Sequence, residues 1–237
     1  MATDSREGNV ADPVFTPDLF AFLRDLARNN DRVWFAENRD RYERDVKGPA
    51  LRFVAELAPH FGKVSRHFRA DPRPVGGSLF RIHRDVRFSK DKSPYKTHVG
   101  IRFPHAKGRD VHAPGFYLHL EPGEVFAACG VWHPDGPTLT RIRGSIAARP
   151  DRWRRIRDGK RFRARYRLGG DSLKRAPLGY DADHPLLEDL KRKDYVAVAE
   201  LDEDAVRRKE FVKEFMALCR DAEPFQRFLC EALGLEM

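Results

Sequence analysis

The spacing of apolar residues changes period twice along this chain, and that change restricts the fold more than any single motif. Over residues 15–61 the spacing is helical. Phe20, Leu23 and Ala27, with Leu19 and Leu26, form one stripe. Thr16 is placed to cap this first helix, Pro17 suits its first position, and Asn29-Asn30 can end it in the left-handed conformation. Asp31 is placed to cap a second helix running to about Val46, with Trp34, Phe35 and Tyr42 on one side. Gly48-Pro49 breaks it, and a third helix carries Leu51, Val54, Leu57, Ala58 and Phe61 on its apolar face. After a loop at 71–78 the period falls to two: Leu79, Arg81 and His83 alternate with Phe80, Ile82 and Arg84. Val99–Phe103 reads as a second strand, and Gly115–Leu120 with Val125–Trp132 as a hairpin. Pro122-Gly123 suits a type II turn rather than the primed turns of tight hairpins, so a longer loop is expected there. Helical spacing returns at 137–148, 150–158, 185–191, 202–220 (capped by Asp202) and 222–233, around an irregular segment at 159–184 and a strand at Tyr195–Leu201. Helices, then strands, then helices define an α+β class. The expectation is a single domain at 15–235, with an N-terminal helical block, a central mainly antiparallel sheet and C-terminal helices, behind a disordered leader at 1–14.

A chain of 237 residues with 41% hydrophobic side chains can bury a core without covalent staples. No apolar run approaches the roughly 18 residues of a membrane span. Residues 1–13 lack the apolar core of a secretory signal, so a cytoplasmic, non-membrane protein is expected. Cys129, Cys219 and Cys230 form no CxxC pair and no zinc spacing, and read as small buried hydrophobes of a reducing compartment.

The net charge of +9 is concentrated in two segments: residues 81–112 carry a balance of +6 and residues 141–175 a balance of +11. Such focused positive charge attracts anions. The first segment is the more informative. Arg81, Arg84, Arg87, Lys92 and Lys96 combine planar forks with point charges, which suits phosphate or carboxylate. Asp85 is placed to orient the cations, Tyr95 to add a neutral donor, and Ser93-Pro94 to turn the chain and gather them. His119 shares a strand face with Tyr117 and is a candidate to line the same site. Leu173–Pro185 supplies Lys174 and Arg175 as further donors if it folds over the first segment. Its Asp181, Asp183 and His184 form a weak metal pattern that reads more simply as turn chemistry, so no metal and no particular cofactor is assigned.

These stretches resemble the domain of unknown function 2461 family of bacteria and fungi. The likeness is carried by NNDRVWFAENRDRYERDVKGP at 29–49, RIHRDVRFSKDKSPYKT at 81–97, GFYLHLEPG at 115–123, LKRAPLGYDADHP at 173–185 and LKRKDY at 190–195. It runs over about residues 15–233. The resemblance implies one domain and carries no catalytic residue across.

The sequence therefore points to a small anionic ligand held in a basic pocket, with enzymatic activity left open. The alternative is a nucleic-acid-binding protein using 141–167, where Trp153, Phe162 and Tyr166 interleave with arginines that can neutralise phosphates. An acidic protein partner is a third reading. No phosphate-binding glycine loop, kinase signature set or serine nucleophile elbow is present.

Overall fold

A computed structural model describes residues 12–107 and 113–237. Most of the expected leader, residues 1–11, lies outside the described residues. Its last residues belong to the domain: Val14 is buried, and Arg52 Nη2 donates to the carbonyls of Pro13 and Val14 at 2.9 Å each.

The first helix, α1 (Pro17–Arg28), buries the expected stripe. Thr16 stands at its N-cap, but its hydroxyl caps nothing; Pro17 removes one of the donors that would need capping. Asn29 ends it at a φ of −130° rather than in the left-handed region, and its side-chain amide instead donates to the Asp25 carbonyl. Asp31 does cap the next helix, accepting from the Val33 and Trp34 amides at 2.8 and 2.9 Å. That helix is not continuous to Val46. It runs as α2 (Arg32–Glu37), α3 (Arg39–Tyr42) and a π-helical turn (Glu43–Lys47) before α4 (Gly48–Phe61). The apolar face of α4 is rotated from expectation: Ala50, Phe53, Val54, Leu57 and Phe61 are buried, Leu51 is half-buried and Ala58 is exposed.

The sheet has five antiparallel strands: β1 (Val99–Pro104), β2 (Gly115–Glu121), β3 (Glu124–Val131), β4 (Arg167–Gly169) and β5 (Tyr195–Leu201), in the order β1-β2-β3-β5-β4. The β2–β3 loop is shorter than expected. Glu121 pairs with Glu124, leaving only Pro122 and Gly123 between them, and Gly123 takes a φ of +83° that a side chain would resist. The Ser78–Arg84 segment is not a regular strand. It makes isolated bridges, Leu79 to Ile101 and His83 to Tyr95, and folds back as a hairpin over 82–96.

After the sheet's third strand come α5 (Gly136–Ala148), α6 (Pro150–Arg157) and α7 (Lys160–Arg165); α7 and β4 occupy a stretch expected to be irregular. Then follow α8 (Leu187–Leu190), α9 (Glu203–Val206), α10 (Phe211–Asp221) and α11 (Glu223–Ala232). Asp202 caps α9 as expected, accepting from the Ala205 amide at 2.6 Å, but the helix it starts stops after one turn and resumes as α10.

Alternation sorts each strand into two faces. Ile101, Phe103, Phe116, Leu118, Leu120, Ala127, Val131 and Ala197 are buried against the helices. Phe61 stacks on Phe103 at 4.9 Å, Phe53 stacks on Phe211 at 5.5 Å, and Trp153 meets Phe228 at 5.1 Å. Each such ring removed from water contributes about 1.5–3 kcal/mol. Cys129, Cys219 and Cys230 lie in this core as free thiols, with burial pushing each of them up from the ordinary thiol range. No helix among the described residues is long and apolar enough to cross a membrane.

Candidate functional site: a histidine–carboxylate cluster beneath a basic hairpin

The opposite face of the sheet carries polar chemistry at its β1–β2 corner. Because Phe116, Leu118 and Leu120 point into the core, Tyr117, His119 and Glu121 share the other face. The register sets Val99 against Leu120 and Gly100 against His119, which brings His98 alongside Glu121. The two imidazoles lie 4.5 Å apart by ring centroid. His119 Nε2 is 3.2 Å and His98 Nδ1 3.8 Å from Glu121 Oε2.

The cluster is held from several sides. Thr97 donates its hydroxyl to Glu121 Oε1 at 2.7 Å. Tyr117 Oη meets His119 Nδ1 at 3.0 Å, and Phe126 of β3 stacks flat on His119 at 4.7 Å. Gly100 makes room for this arrangement: a Cβ there would sit 2.7 Å from Tyr117 Oη. His98 is pushed down to about 4, first by desolvation, then by the neighbouring His119, with Lys96 and Arg84 adding to it and Glu121 opposing. Burial pushes the Tyr117 phenol up, with Glu121 reinforcing it.

The hairpin 82–96 leans between this corner and the helical block. Asn30 exchanges two hydrogen bonds with the Tyr95 backbone, at 3.0 and 3.1 Å, and Tyr95 stacks on Phe35 at 4.1 Å. A cleft of about 370 Å³ opens beside it, lined by Arg32, His83, Arg84, Val86, Pro94 and Tyr95. Arg84 pairs with Asp91, and this contact together with Ser93 holds the Asp91 carboxyl well below the usual range. Lys96 Nζ donates to the Arg81 carbonyl at 2.9 Å and lies over the Phe80 ring; partial burial, with Arg81 nearby, pushes it down from the ordinary lysine value. Among the described residues, Arg32, Arg81 and Lys96 form no ion pair with a carboxylate, although Arg81 lies within electrostatic reach of Asp85.

Of the residues singled out in the sequence, Arg84 and Tyr95 meet at the cleft, and Lys96 and His119 flank the sheet corner. Asp85 and Arg87 pair with each other at the exposed tip, which lowers Asp85 to about 2, and Lys92 Nζ donates to the Val86 carbonyl at 2.9 Å. These three close the hairpin on itself. Lys174 and Arg175 are not brought to the site. Their segment is tied to the far side of the sheet through the Ser172–Arg192 bridge and the Leu173 amide bond to Lys191, beyond β5 and β4. The neighbouring His184 is part of a turn: its Nδ1 accepts from the Leu186 amide.

The basic run at 152–167 has no free rings with which to stack bases. Trp153, Phe162 and Tyr166 are all in the core. Arg152 pairs with Glu231, Arg154 with Asp151, and Arg157 with Asp158 and Asp189, while Arg155, Lys160, Arg161 and Arg163 form no ion pair among the described residues.

Sequence reasoning singled out His119 but missed His98, Glu121 and Arg32. Glu121 was within reach, since Tyr117, His119 and Glu121 sit two apart on one strand. His98 and Arg32 depend on register and tertiary packing that no local pattern carries.

Fold and site together define an α+β protein whose antiparallel sheet turns one face to a helical core and presents a polar corner beneath a cationic hairpin. The conserved hypothetical protein family DUF2461 matches residues 18–228 of the chain. The chain belongs to that family. No curated protein matches it.

Proposed function

We propose that the protein binds a small phosphate- or carboxylate-bearing ligand in the cleft beside the hairpin 82–96, with Arg84 and Arg32 as its fork donors. The observation that carries this reading is that two arginines, one of them in no ion pair, line a single cleft of about 370 Å³. That volume is at the small end of ligand pockets. The wall is preorganised, because Tyr95 is clamped by Asn30 and Phe35. Asp91 acts as an internal counter-ion that an incoming anion displaces from Arg84. Arg81 and Lys96 are the nearest further cations along the hairpin.

The test is calorimetry and thermal unfolding with phosphate, pyrophosphate, citrate and short DNA and RNA at low and moderate salt. At 100 times its Kd a ligand adds about 2.7 kcal/mol, roughly 5–10 °C for a chain of this size. Arg84→Ala and Arg32→Ala each lower affinity roughly 10- to 100-fold, the range of a lost charge-assisted hydrogen bond. Undiminished affinity in both variants rejects the cleft. Stabilisation by DNA or RNA alone, lost at moderate salt, replaces this reading with a nucleic-acid one.

A further inference from the structure

We propose that His98, His119 and Glu121 form a binding site for one divalent transition-metal ion. One donor atom from each lies within 4.8 Å of the other two. Two ligand atoms on a tetrahedral ion with bonds of ~2.0–2.1 Å sit ~3.4 Å apart, and the His119–Glu121 and His98–Glu121 separations of 3.2 and 3.8 Å bracket that spacing. The third separation, between one nitrogen of each imidazole, is at most 4.8 Å, so the two rings must close toward each other on an ion.

The partners around the cluster argue more strongly than the distances. A ligating histidine normally has its second nitrogen held by another group, and a ligating carboxylate its second oxygen. His119 and Glu121 meet these conditions, while no protein group among the described residues holds the second nitrogen of His98. Tyr117 Oη holds His119 Nδ1, leaving Nε2 toward Glu121, while Thr97 holds Glu121 Oε1, leaving Oε2 toward both imidazoles. A phenol both accepts and donates, so Tyr117 satisfies either tautomer. Without metal, it donates to Nδ1 while Nε2–H donates to Glu121. With metal on the Nε2 lone pair, Nδ1–H donates to Tyr117. The proton moves between ring nitrogens, and no charge is stranded.

Two imidazoles and one carboxylate select a first-row transition metal over calcium or magnesium, which prefer all-oxygen shells. Three protein ligands leave positions for water or for an oxygen of a bound molecule. Arg84 and Lys96 lie within electrostatic reach of His98, so a metal-bound anion would be favoured over a bare aquo ion. The site does not require the cleft beside the hairpin to bind anything.

The experiment uses the full chain, stripped with a chelator, dialysed and titrated with Co(II) and Zn(II) alone. Calorimetry reads stoichiometry, and visible Co(II) absorption reports nitrogen–oxygen ligation. The expected result is saturation at one ion per chain. Glu121→Gln and His119→Ala weaken binding by more than the roughly 10- to 100-fold cost of losing an outer-shell partner, and Tyr117→Phe weakens it within that range. His67→Ala, which alters the other stacked histidine pair, with His105, leaves binding unchanged. Circular dichroism establishes that each variant is folded; Glu121→Gln keeps the side-chain shape and decides the matter if His119→Ala does not fold. No saturable binding up to millimolar metal, or equal affinity in wild type and Glu121→Gln, or loss in His67→Ala alone, overturns the proposal.

Discussion

Residues 152–167 and residues 81–97 are both dense in arginine and lysine, and the fold uses them in different ways. In the first stretch the aromatics anchor α6 and α7 in the core, and three of the arginines reach carboxylates from remote parts of the chain: Arg152 meets Glu231 of α11, Arg157 meets Asp189 of α8, and Arg165 lies 3.9 Å from Asp221 of α10. In the second, the carboxylates are local. Arg84 pairs with Asp91 and Arg87 with Asp85, while Arg81 and Lys96 have none. Charge density along a sequence therefore says little about charge available to a ligand. Availability depends on whether tertiary structure brings acids to the cations. Both stretches keep cations outside any ion pair; what differs is that the pairs of the first tie remote helices together, while those of the second stay within one hairpin.

This comparison can be broken at either end. The largest effect is expected from Trp153→Ala, which empties a fully buried site. It should cost about 3–5 kcal/mol and lower the melting temperature by roughly 6–20 °C. A small shift would mean that the basic helices are not anchored by their aromatics. Asp189→Ala strips Arg157 of a buried partner and should cost about 3 kcal/mol in denaturant unfolding. Glu231→Gln should cost at most about 1 kcal/mol, since its pairs with Arg152 and Arg149 are about one-third exposed.

That last variant also has a pH signature. Arg152, assisted by Arg149, holds the Glu231 carboxyl below its ordinary value. Its stabilisation is thus complete above the unfolded value of about 4.3 and is lost as pH falls through the lower folded value. The gap in melting temperature between wild type and Glu231→Gln should close below about pH 4. Arg87→Ala, in the hairpin tip, should leave the melting temperature essentially unchanged, as exposed pairs do. A larger loss would make the hairpin a structural clamp like its counterpart.

The period-two and period-3.6 patterns were enough to place α1, β2, β3, β5 and α11, because each of these elements buries a stripe of its own. Where burial depends on partners, the pattern was ambiguous. The stretch 32–47 reads as one helix, yet Phe35 and Tyr42 pack together and against Phe22 across a break at Asn38. The glycine and charge around α7 hid a helix whose Phe162 stacks locally on Tyr166 and is buried by the remote Phe225. The Pro122-Gly123 turn followed its own chemistry, with a left-handed glycine, inside a shorter loop than turn preferences suggested. At the candidate site, the basic side chains were visible one by one. The convergence of Arg32 on Arg84, and of His98 on Glu121, is set by a helix–hairpin contact and by strand register.

The outer border of β1 is lined by main chain from two directions: the Phe80 amide bonds to Gly100 and the Arg102 amide to Ser78, while the Arg69 amide bonds to Pro104. At the other border of the sheet, β4 is only three residues long. A sheet with one flank occupied and the other this brief offers little template for strand addition by a second chain. The short run at 78–80, just ahead of the cationic hairpin, thus also occupies the backbone groups along the outer edge of β1. Deleting 78–80 along with the hairpin would leave the Gly100 carbonyl and the Arg102 amide unpaired on that edge and trade a ligand question for a solubility problem.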